Sequence, residues 1–441
     1  MPLHSELVAA AAFTPEQFAN FATHLDRAWI EEALVSTGVA TLRKRRLPMD
    51  QVVWLVIGMG LMRDLPIRDV LDKLDLAVPD GTTRTVASSA VSQARQRLGA
   101  APMEWLFLRT GSEWATDSAR RHAWRGLALY GIDGTTLRVA DTGENRKHFG
   151  GQSGPRGDSG YPQLRLNVLM ALRSHVLAGA AFGPYNVDER TLAAELWPSV
   201  PDDSLMLLDR GYLQANVLVP LVRDGKNRHW LTRAKSSSVW TVIKRLGPKD
   251  LLVEMKVSSM ARQKDRSLPE TFQARAIGYQ RKGYQPQTLL TSLLDPKRYP
   301  ADEIRDLYHE RWEIELGYDE LKTEMLEQYE ALRSQSPEGV AQELWGVLLA
   351  YNLVRREIEG IADEVKEEPT RISFVSALRL IIDQLEWAII TSPGAIPKRL
   401  AGLRDKVRRY CLPERRPRKS YPRAVKIKMS NYARNRPRKR R

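Results

Sequence analysis

The sequence predicts an α/β protein with helical flanks, and three observations carry that reading. Between residues 126 and 235, apolar runs of strand length alternate with helical segments. On either side, residues 1–120 and 336–412 carry helical periodicity instead. A third texture, apolar and polar residues in alternation over about 236–295, separates the α/β stretch from a charged helix at 301–328. The expected organisation is a helical domain over 1–120 and an α/β core over 121–335 with a β-rich insertion at about 236–295. A helical region over 336–412 and a basic tail over 413–441 complete it.

The elements follow in order. Thr14 before Pro15 and Glu16 makes a helix start. "IEEALVSTG" ends on Gly38, "MDQVVWLVIGMGLM" is a buried helix and "IRDVLDKLDL" an amphipathic one. "SSAVSQARQRLG" (88–99) takes Ser88 or Ser89 as its cap and Gly99 as its stop. Its polar face offers Ser92, Gln93, Arg95, Gln96 and Arg97. Gln and Arg pair bidentately with base edges, and the same face would equally serve as an ordinary solvated surface.

From residue 126 the texture changes. "LALYGID" is a strand ending in Asp133, a Gly-Thr turn follows, and "TLRVAD" is the next strand. "QLRLNVLMAL" and "VLAGAAFGPY" flank the turn "RSH". "DERTLAAELW" is a short helix, "SLMLLD" a strand ending in Asp209, "LQANVLVPLVRDG" a helix and "RHWLTRA" a strand. The insertion contains three apolar runs, "LLVEMKV", "TFQARAIGYQ" and "QTLLTSL". Helices resume at 301–328, 337–360 and 370–390.

Composition narrows the function. The 441 residues are 43% apolar, enough for a substantial core and two or three domains. Cys411 is the single cysteine, which excludes a disulfide framework and a Cys-rich zinc site. No secretory signal opens the chain, and the longest strongly apolar run, 52–62, is too short to span a bilayer. A soluble intracellular protein is expected. The net charge is +15, and the tail 413–441 holds 13 Lys or Arg against Glu414 alone, which leaves +3 for the other 412 residues. Such a tail reads as an arm for nucleic acid or as a solvated terminus.

The segment "YHERWEIELGYDELK" (308–322) concentrates charge on a helix that also carries Leu307, Ile314 and Leu321 at seven-residue spacing. On an ideal helix Tyr308, Arg311, Glu315 and Lys322 fall within an arc of about 60°, with the apolar stripe beside it. The stripe would fix the helix, and the fixed helix would aim a polar site. A surface helix laced with i, i+4 salt bridges gives the same pattern. Asp133 and Asp209 tilt the reading, because open sheets present ligand-facing residues at strand ends. Three converging carboxylates repel one another unless a cation intervenes. Oxygen ligands alone suit Mg²⁺ or Mn²⁺, and two such ions about 3.5–4 Å apart can activate a nucleophile and stabilise the leaving oxygen at a phosphodiester. Arg311 and Lys322 would then hold flanking phosphates, and Tyr308 would donate to a phosphate oxygen or stack.

Tyr308-x2-Arg311-x3-Glu315-x6-Lys322 resembles the Y-R-E-K signature of bacterial insertion-sequence transposases of the DDE class. "LDRGY" (208–212) is similar to that family's second-aspartate motif and "YGIDGTTLR" (130–138) to its first. "LRKRRLP" (42–48), "AVSQARQRLG" (90–99) and "ELWGVLLAYNLVR" (343–355) extend the resemblance to the insertion-sequence-four family over most of 25–360. The resemblance implies a ribonuclease H-like core with the insertion between Asp209 and Glu315. It implies Asp133, Asp209 and Glu315 as catalytic, metal-binding residues, with two Mg²⁺ ions replaceable by Mn²⁺. It also implies a helical front domain that binds terminal inverted repeats, a homodimer at synapsis, and work on double-stranded DNA in the bacterial cytoplasm at the nucleoid. Arg233 and Lys235 of "WLTRAK" sit where the family keeps basic DNA contacts, beside Gln93, Arg95 and Arg97 in the front domain. Where some relatives carry a base-stacking tryptophan before "LLTS", this chain reads "YQPQTLLTS", leaving Tyr284 and Trp240 as substitutes. A structure-specific nuclease on the same core would need neither front domain, insertion nor tail. A domesticated DNA-binding protein would be marked by a lost carboxylate, and all three are present.

Overall fold

The computed structural model of the chain describes residues 24–40, 47–74, 87–154, 157–158, 160–280, 285–326, 331–388, 406 and 410–412. The expected helix start at Thr14, the aromatic Tyr284 and the tail 413–441 lie outside the described residues.

Among the described residues, five helices precede residue 122: α1 (Arg27–Ser36), α2 (Met49–Leu61), α3 (Ile67–Lys73), α4 (Ser88–Leu98) and α5 (Ala101–Arg121). α2 is apolar around its whole circumference, and it is buried because it crosses a helix of the C-terminal region, α12 (Pro337–Val365). The crossing needs small residues. A Cβ at Gly346 would stand 2.5 Å from Val56 Cγ1 and 3.0 Å from the Val56 carbonyl, and one at Gly60 would press on Ala350 at 3.0 Å. α4 is not capped by a serine as expected. Its N-cap is Ala87, without a side-chain hydrogen bond, while Gly99 stops it at φ 65°.

The core elements are β1 (Ala128–Val139), α6 (Gly143–Phe149), the two-residue strands β2 (Ser153–Gly154) and β3 (Gly157–Asp158), β4 (Gln163–Ala171), β5 (Leu177–Pro184), α7 (Glu189–Leu196), β6 (Ser204–Leu208), α8 (Ala215–Arg223) and β7 (Arg228–Arg233). Then follow β8 (Thr241–Gly247), β9 (Asp250–Lys256), α9 (Ser259–Lys264), β10 (Thr271–Tyr279) and β11 (Gln287–Thr291). Ten strands form one sheet in the order β5-β4-β1-β6-β7-β11-β10-β9-β8, with β12 (Ala331–Leu332) beside the far end of β1. β5, β4 and β1 are antiparallel, whereas β1, β6 and β7 are parallel.

Two expectations need correction. First, no turn breaks the strand after Asp133: β1 runs straight through Gly134 and Thr135, and Gly134 pairs with Asn167 of β4. Asp133 therefore lies within its strand rather than at its end. Gly134 is there for close approach, since a Cβ would meet the Glu189 side chain at 2.6 Å. Second, the insertion holds four strands rather than the three apolar runs seen in the sequence, and they join the core sheet. β11 pairs with β7, so the core sheet continues outward to β8. β8 itself went unrecognised in the sequence because an edge strand shows no buried alternation. Val242, Ile243, Lys244 and Arg245 are all exposed, and two register irregularities against β9 bend the edge.

The charged segment is not one uniform helix. α10 (Ala301–Leu307) passes into a 3₁₀ turn (Tyr308–Trp312), then α11 (Glu313–Asp319), then a π turn (Glu320–Met325). Leu307, Ile314 and Leu321 are buried, so the seven-residue stripe does hold the segment on the sheet. α13 (Phe374–Ala388) ends the described helices.

Candidate active site

β1 and β6 are parallel neighbours, paired from Ala128–Ser204 to Gly131–Leu207. Their paired stretches are apolar and buried in the sheet, and each strand carries an aspartate just past the last paired residues, Asp133 within β1 and Asp209 after β6. Asp209 follows β6 directly and caps the next turn, its carboxylate accepting from Gly211 N at 3.2 Å. The third carboxylate, Glu315, comes from α11.

Tyrosines brace the three elements. Tyr318 Oη donates to the Asp133 carbonyl at 2.6 Å, tying α11 to β1. Tyr308 is buried and its Oη reaches toward the Leu208 carbonyl at 3.5 Å, just before Asp209. Tyr212, of "LDRGY", donates to Glu189 Oε1 at 2.8 Å. Gly317 lets α11 settle on the sheet, for a Cβ there would collide with Met170 Cε.

Arg311 is the hub. Its Nη2 donates to Glu315 Oε1 at 2.9 Å. Burial works against its charge, but Tyr308, Glu315 and Asp209 outweigh that and hold the guanidinium pKa above its ordinary value. The same cation acts on Asp133. Asp133 is nevertheless pushed up to about 6, first by burial and then by the charges of Glu189 and Glu315. Among the described residues, no three His, Cys, Asp or Glu side chains already stand in metal-holding geometry. The donor set is all carboxylate oxygen, and Asp133 is a half-buried carboxyl raised by desolvation first and by its acidic neighbours second. That chemistry fits a hard divalent cation, which would relieve the repulsion.

The other sequence-marked residues divide. Arg233, half-buried at the end of β7, acts on Tyr308 and so belongs to this edge. Lys235 sits near it in the chain, its Nζ 3.4 Å from the Leu213 carbonyl. Lys322 lies in the π turn, so the ideal-helix arc does not extend to it. Gln93, Gln96 and Arg97 are exposed on α4. Arg95 differs: it turns inward, donating to Gln342 Oε1 at 2.9 Å and Ser334 Oγ at 3.2 Å, and burial lowers its pKa. It joins α4 to α12. Trp240 rests partly on the core. Tyr279 was missed: it stands opposite Gln287 across β10–β11, edge-on to His309 at 6.1 Å, and acts on Tyr308.

The family assignment follows from the same residues. The Transposase DDE domain family matches residues 126–353, which span β1 with Asp133, Asp209 and the Tyr308–Lys322 segment. This chain belongs to the DDE transposases. The Insertion element 4 transposase N-terminal family matches residues 15–108, placing this transposase in the insertion-element-four group. It is 40% identical over 410 residues to the transposase InsG for insertion sequence element IS4 of Escherichia coli strain K12, covering 93% of this chain and 92% of the relative. It is 38% identical over 240 residues to the putative transposase InsZ of the same strain, covering 53% of this chain and 78% of that protein. Among solved structures it resembles the piggyBac transposase in a synaptic complex with hairpin DNA, at a TM-score of 0.43 and 12% identity over 93% of this chain and 88% of that one. Among the described residues of this transposase, no helix is long and apolar enough to cross a membrane.

Proposed function

We propose that this transposase binds the terminal inverted repeats of its own element, cuts the DNA there with divalent metal, and joins the freed ends to target DNA. The route is cut-and-paste through a hairpin intermediate, run by a homodimer in the bacterial cytoplasm at the nucleoid. The observation that carries the reading is the Arg311 hub, one half-buried cation acting on Asp133, Asp209 and Glu315, which come from three different elements. The core, residues 121–335, is ribonuclease H-like; the order β5-β4-β1-β6-β7, three antiparallel strands followed by two parallel ones, supports that form. Residues 236–295 are the family's insertion, laid against its edge.

Asp133, Asp209 and Glu315 are the catalytic carboxylates and would hold two Mg²⁺ ions, with Mn²⁺ as a substitute. When bound, the metal supplies Lewis-acid charge at the phosphate and lowers the pKa of the attacking hydroxyl. The chain supplies the rest. Arg311, Arg233 and Lys322 hold phosphates beside the scissile one, and Lys235 extends that basic edge. Arg311 donates to Glu315 in the chain alone, and it would be free to turn to a phosphate were that carboxylate holding a cation. Tyr308 clamps the distorted backbone.

Hairpin closure demands sharp bending, and unstacking costs a few kcal/mol that the clamp and an aromatic platform offset. Tyr308→Phe or Arg311→Ala is therefore expected to permit first-strand nicking while hairpins fall, seen on a denaturing gel of an end-containing duplex with Mg²⁺. Equal loss of both species would assign these residues to general DNA positioning. A parent enzyme that makes no hairpin at any time would remove the hairpin route.

α4 is proposed to read the repeats through Gln93 and Arg97, since both are exposed on one helix. Removing either side chain's pairing with a base edge is expected to cost about 1–3 kcal/mol of preference for end DNA over random DNA in competition gel shifts. Equal weakening on both DNAs would make α4 a phosphate-binding surface. The tail 413–441 is the non-specific arm. Deleting it should flatten the slope of log K against log salt by about 0.9 for each phosphate that the arm neutralises, and an unchanged slope would rule the arm out.

A further inference from the structure

We propose that Glu189 is a fourth carboxylate of the catalytic centre, holding divalent-cation charge together with Asp133. The inference rests on the reading of Asp133 as a metal-binding residue and extends it to a residue outside the Asp133, Asp209, Glu315 set.

Glu189 opens α7, whose cap is Asp188, accepting from Arg190 N at 2.8 Å. From there its side chain lies over β1. Its Cγ and Cδ occupy the space that a Cβ on Gly134 would need, at 2.6 and 2.7 Å. The carboxylate thus stands against the residue that follows Asp133. This explains why the strand carries glycine at 134, and why "DG" here marks an approach rather than a turn.

The hydrogen bonds around it leave acceptors in excess. The Tyr212 hydroxyl proton goes to Glu189 Oε1 at 2.8 Å. Asn167 Nδ2 donates to the Glu189 carbonyl at 3.0 Å and to Tyr212 Oη at 3.3 Å. Asn167 is fully buried, yet its Oδ1 has no partner, and that oxygen lies 2.8 Å from the same Cβ position at Gly134. A buried amide oxygen without a donor calls for an explanation. Beside it stand the carboxylates of Glu189 and Asp133. Arg190, next in the chain, has turned its guanidinium onto Asp188 at 2.9 Å. Glu189 is served at Oε1 by Tyr212 and Asp133 at Oδ1 by Gly134 N at 2.9 Å, so hard oxygen acceptors outnumber the donors here, and such a surplus is what a divalent cation takes.

A purely structural strut would not need the charge. Glutamine would accept from Tyr212 equally well without placing a second carboxylate beside that of Asp133.

The test is Mn²⁺ binding to the full-length protein, followed by calorimetry without DNA. Glu189→Gln, which keeps the acceptor for Tyr212, is expected to weaken Mn²⁺ binding about tenfold or more. Asp133→Asn is expected to weaken it as well, while Tyr212→Phe should stay within about twofold of the parent. Parent-like affinity in Glu189→Gln beside a weakened Asp133→Asn overturns this proposal alone and leaves Glu189 a strut. Parent-like affinity in both overturns the metal-site reading and this proposal with it. Should the glutamine variant fail to fold, the parent chain decides. Fe²⁺ with ascorbate and peroxide should cut the backbone around residues 133 and 189, and cuts near 133 and 209 that spare 189 would overturn the assignment.

Discussion

Asp133→Asn is expected to abolish strand cleavage and at the same time to stabilise the metal-free protein at neutral pH. The cleavage loss should reach about 10³-fold or more, since a carboxylate that holds catalytic charge cannot be replaced by an amide. End-DNA binding in gel shift should persist. The gain in stability comes from the raised carboxyl. Burial, with Glu189 and Glu315, lifts Asp133 to about 6 in the folded chain, above its ordinary 3.8. Below the unfolded value both states hold the proton and folding bears no penalty. As pH climbs through about 6, the folded chain must ionise a group that prefers neutrality, and stability falls. At pH 7.5 the cost amounts to about 1–3 kcal/mol, allowing for partial solvation. Urea midpoints in EDTA should therefore separate the variant from the parent at pH 7.5 and converge near pH 4. Cleavage within tenfold of the parent would remove Asp133 from the site. Equal midpoints at both pH values would mean that solvent already screens it.

Much of this site was legible because its chemistry is carried by side chains at fixed spacing. Tyr308, Arg311 and Glu315 are within two turns of each other, and the buried Leu307, Ile314 and Leu321 stripe tells which way they face. Apolar runs ending near Asp133 and Asp209 located the other two carboxylates for the same reason. The failures have physical causes as well. Gly134–Thr135 has the local chemistry of a turn, but pairing with β4 and the Glu189 side chain override it. Winding at 100° per residue missed the 3₁₀ and π turns, because tertiary packing sets them. Arg95 looked like part of a polar face, yet its partners Gln342 and Ser334 are about 240 residues further along the chain, beyond any helical pattern. Glu189 carried no signal of its own, for an acid in the first turn of a helix is ordinary.

"ELWGVLLAYNLVR" is instructive in a different way, since its polar residues are buried fasteners rather than catalysts. Glu343 takes Arg63 and the Arg333 and Ser334 amides, and Asn352 grips both the N–H and the carbonyl of Leu177. A polar residue repeated on an apolar helix can therefore mark where distant chain segments are pinned, which a functional reading of the motif would overlook.

Arg355, the last residue of that motif, should have the largest effect on stability. It is buried, pairs with Glu320, and its Nη2 lies 2.8 Å from His175 Nδ1. His175 also stands 3.1 Å from Glu313, while Tyr351 donates to Glu320 at 2.8 Å. Glu313 and Glu320 bracket Glu315 in the chain, so the network clamps the segment that presents the third carboxylate. Arg355→Ala removes one partner of a buried pair and is expected to cost about 3–5 kcal/mol. The acid limb gives an independent signature. Burial alone would raise Glu320, but Arg355 and His175 outweigh it and hold the carboxyl down at about 2. That stabilisation is present above the ordinary value of 4.5 and is lost as pH falls toward 2. In Arg355→Ala the fall in urea midpoint between those limits should be shallower than in the parent. Cleavage should drop as well, because α11 loses its anchor, while affinity for end DNA through α4 stays near the parent's. Arg355→Met, with similar length and no charge, still strands Glu320 and should not restore the parent midpoint, whereas Arg355→Met with Glu320→Gln should recover part of it. If the double variant is no more stable than Arg355→Met, the cost lies in lost packing and not in the unpaired carboxylate.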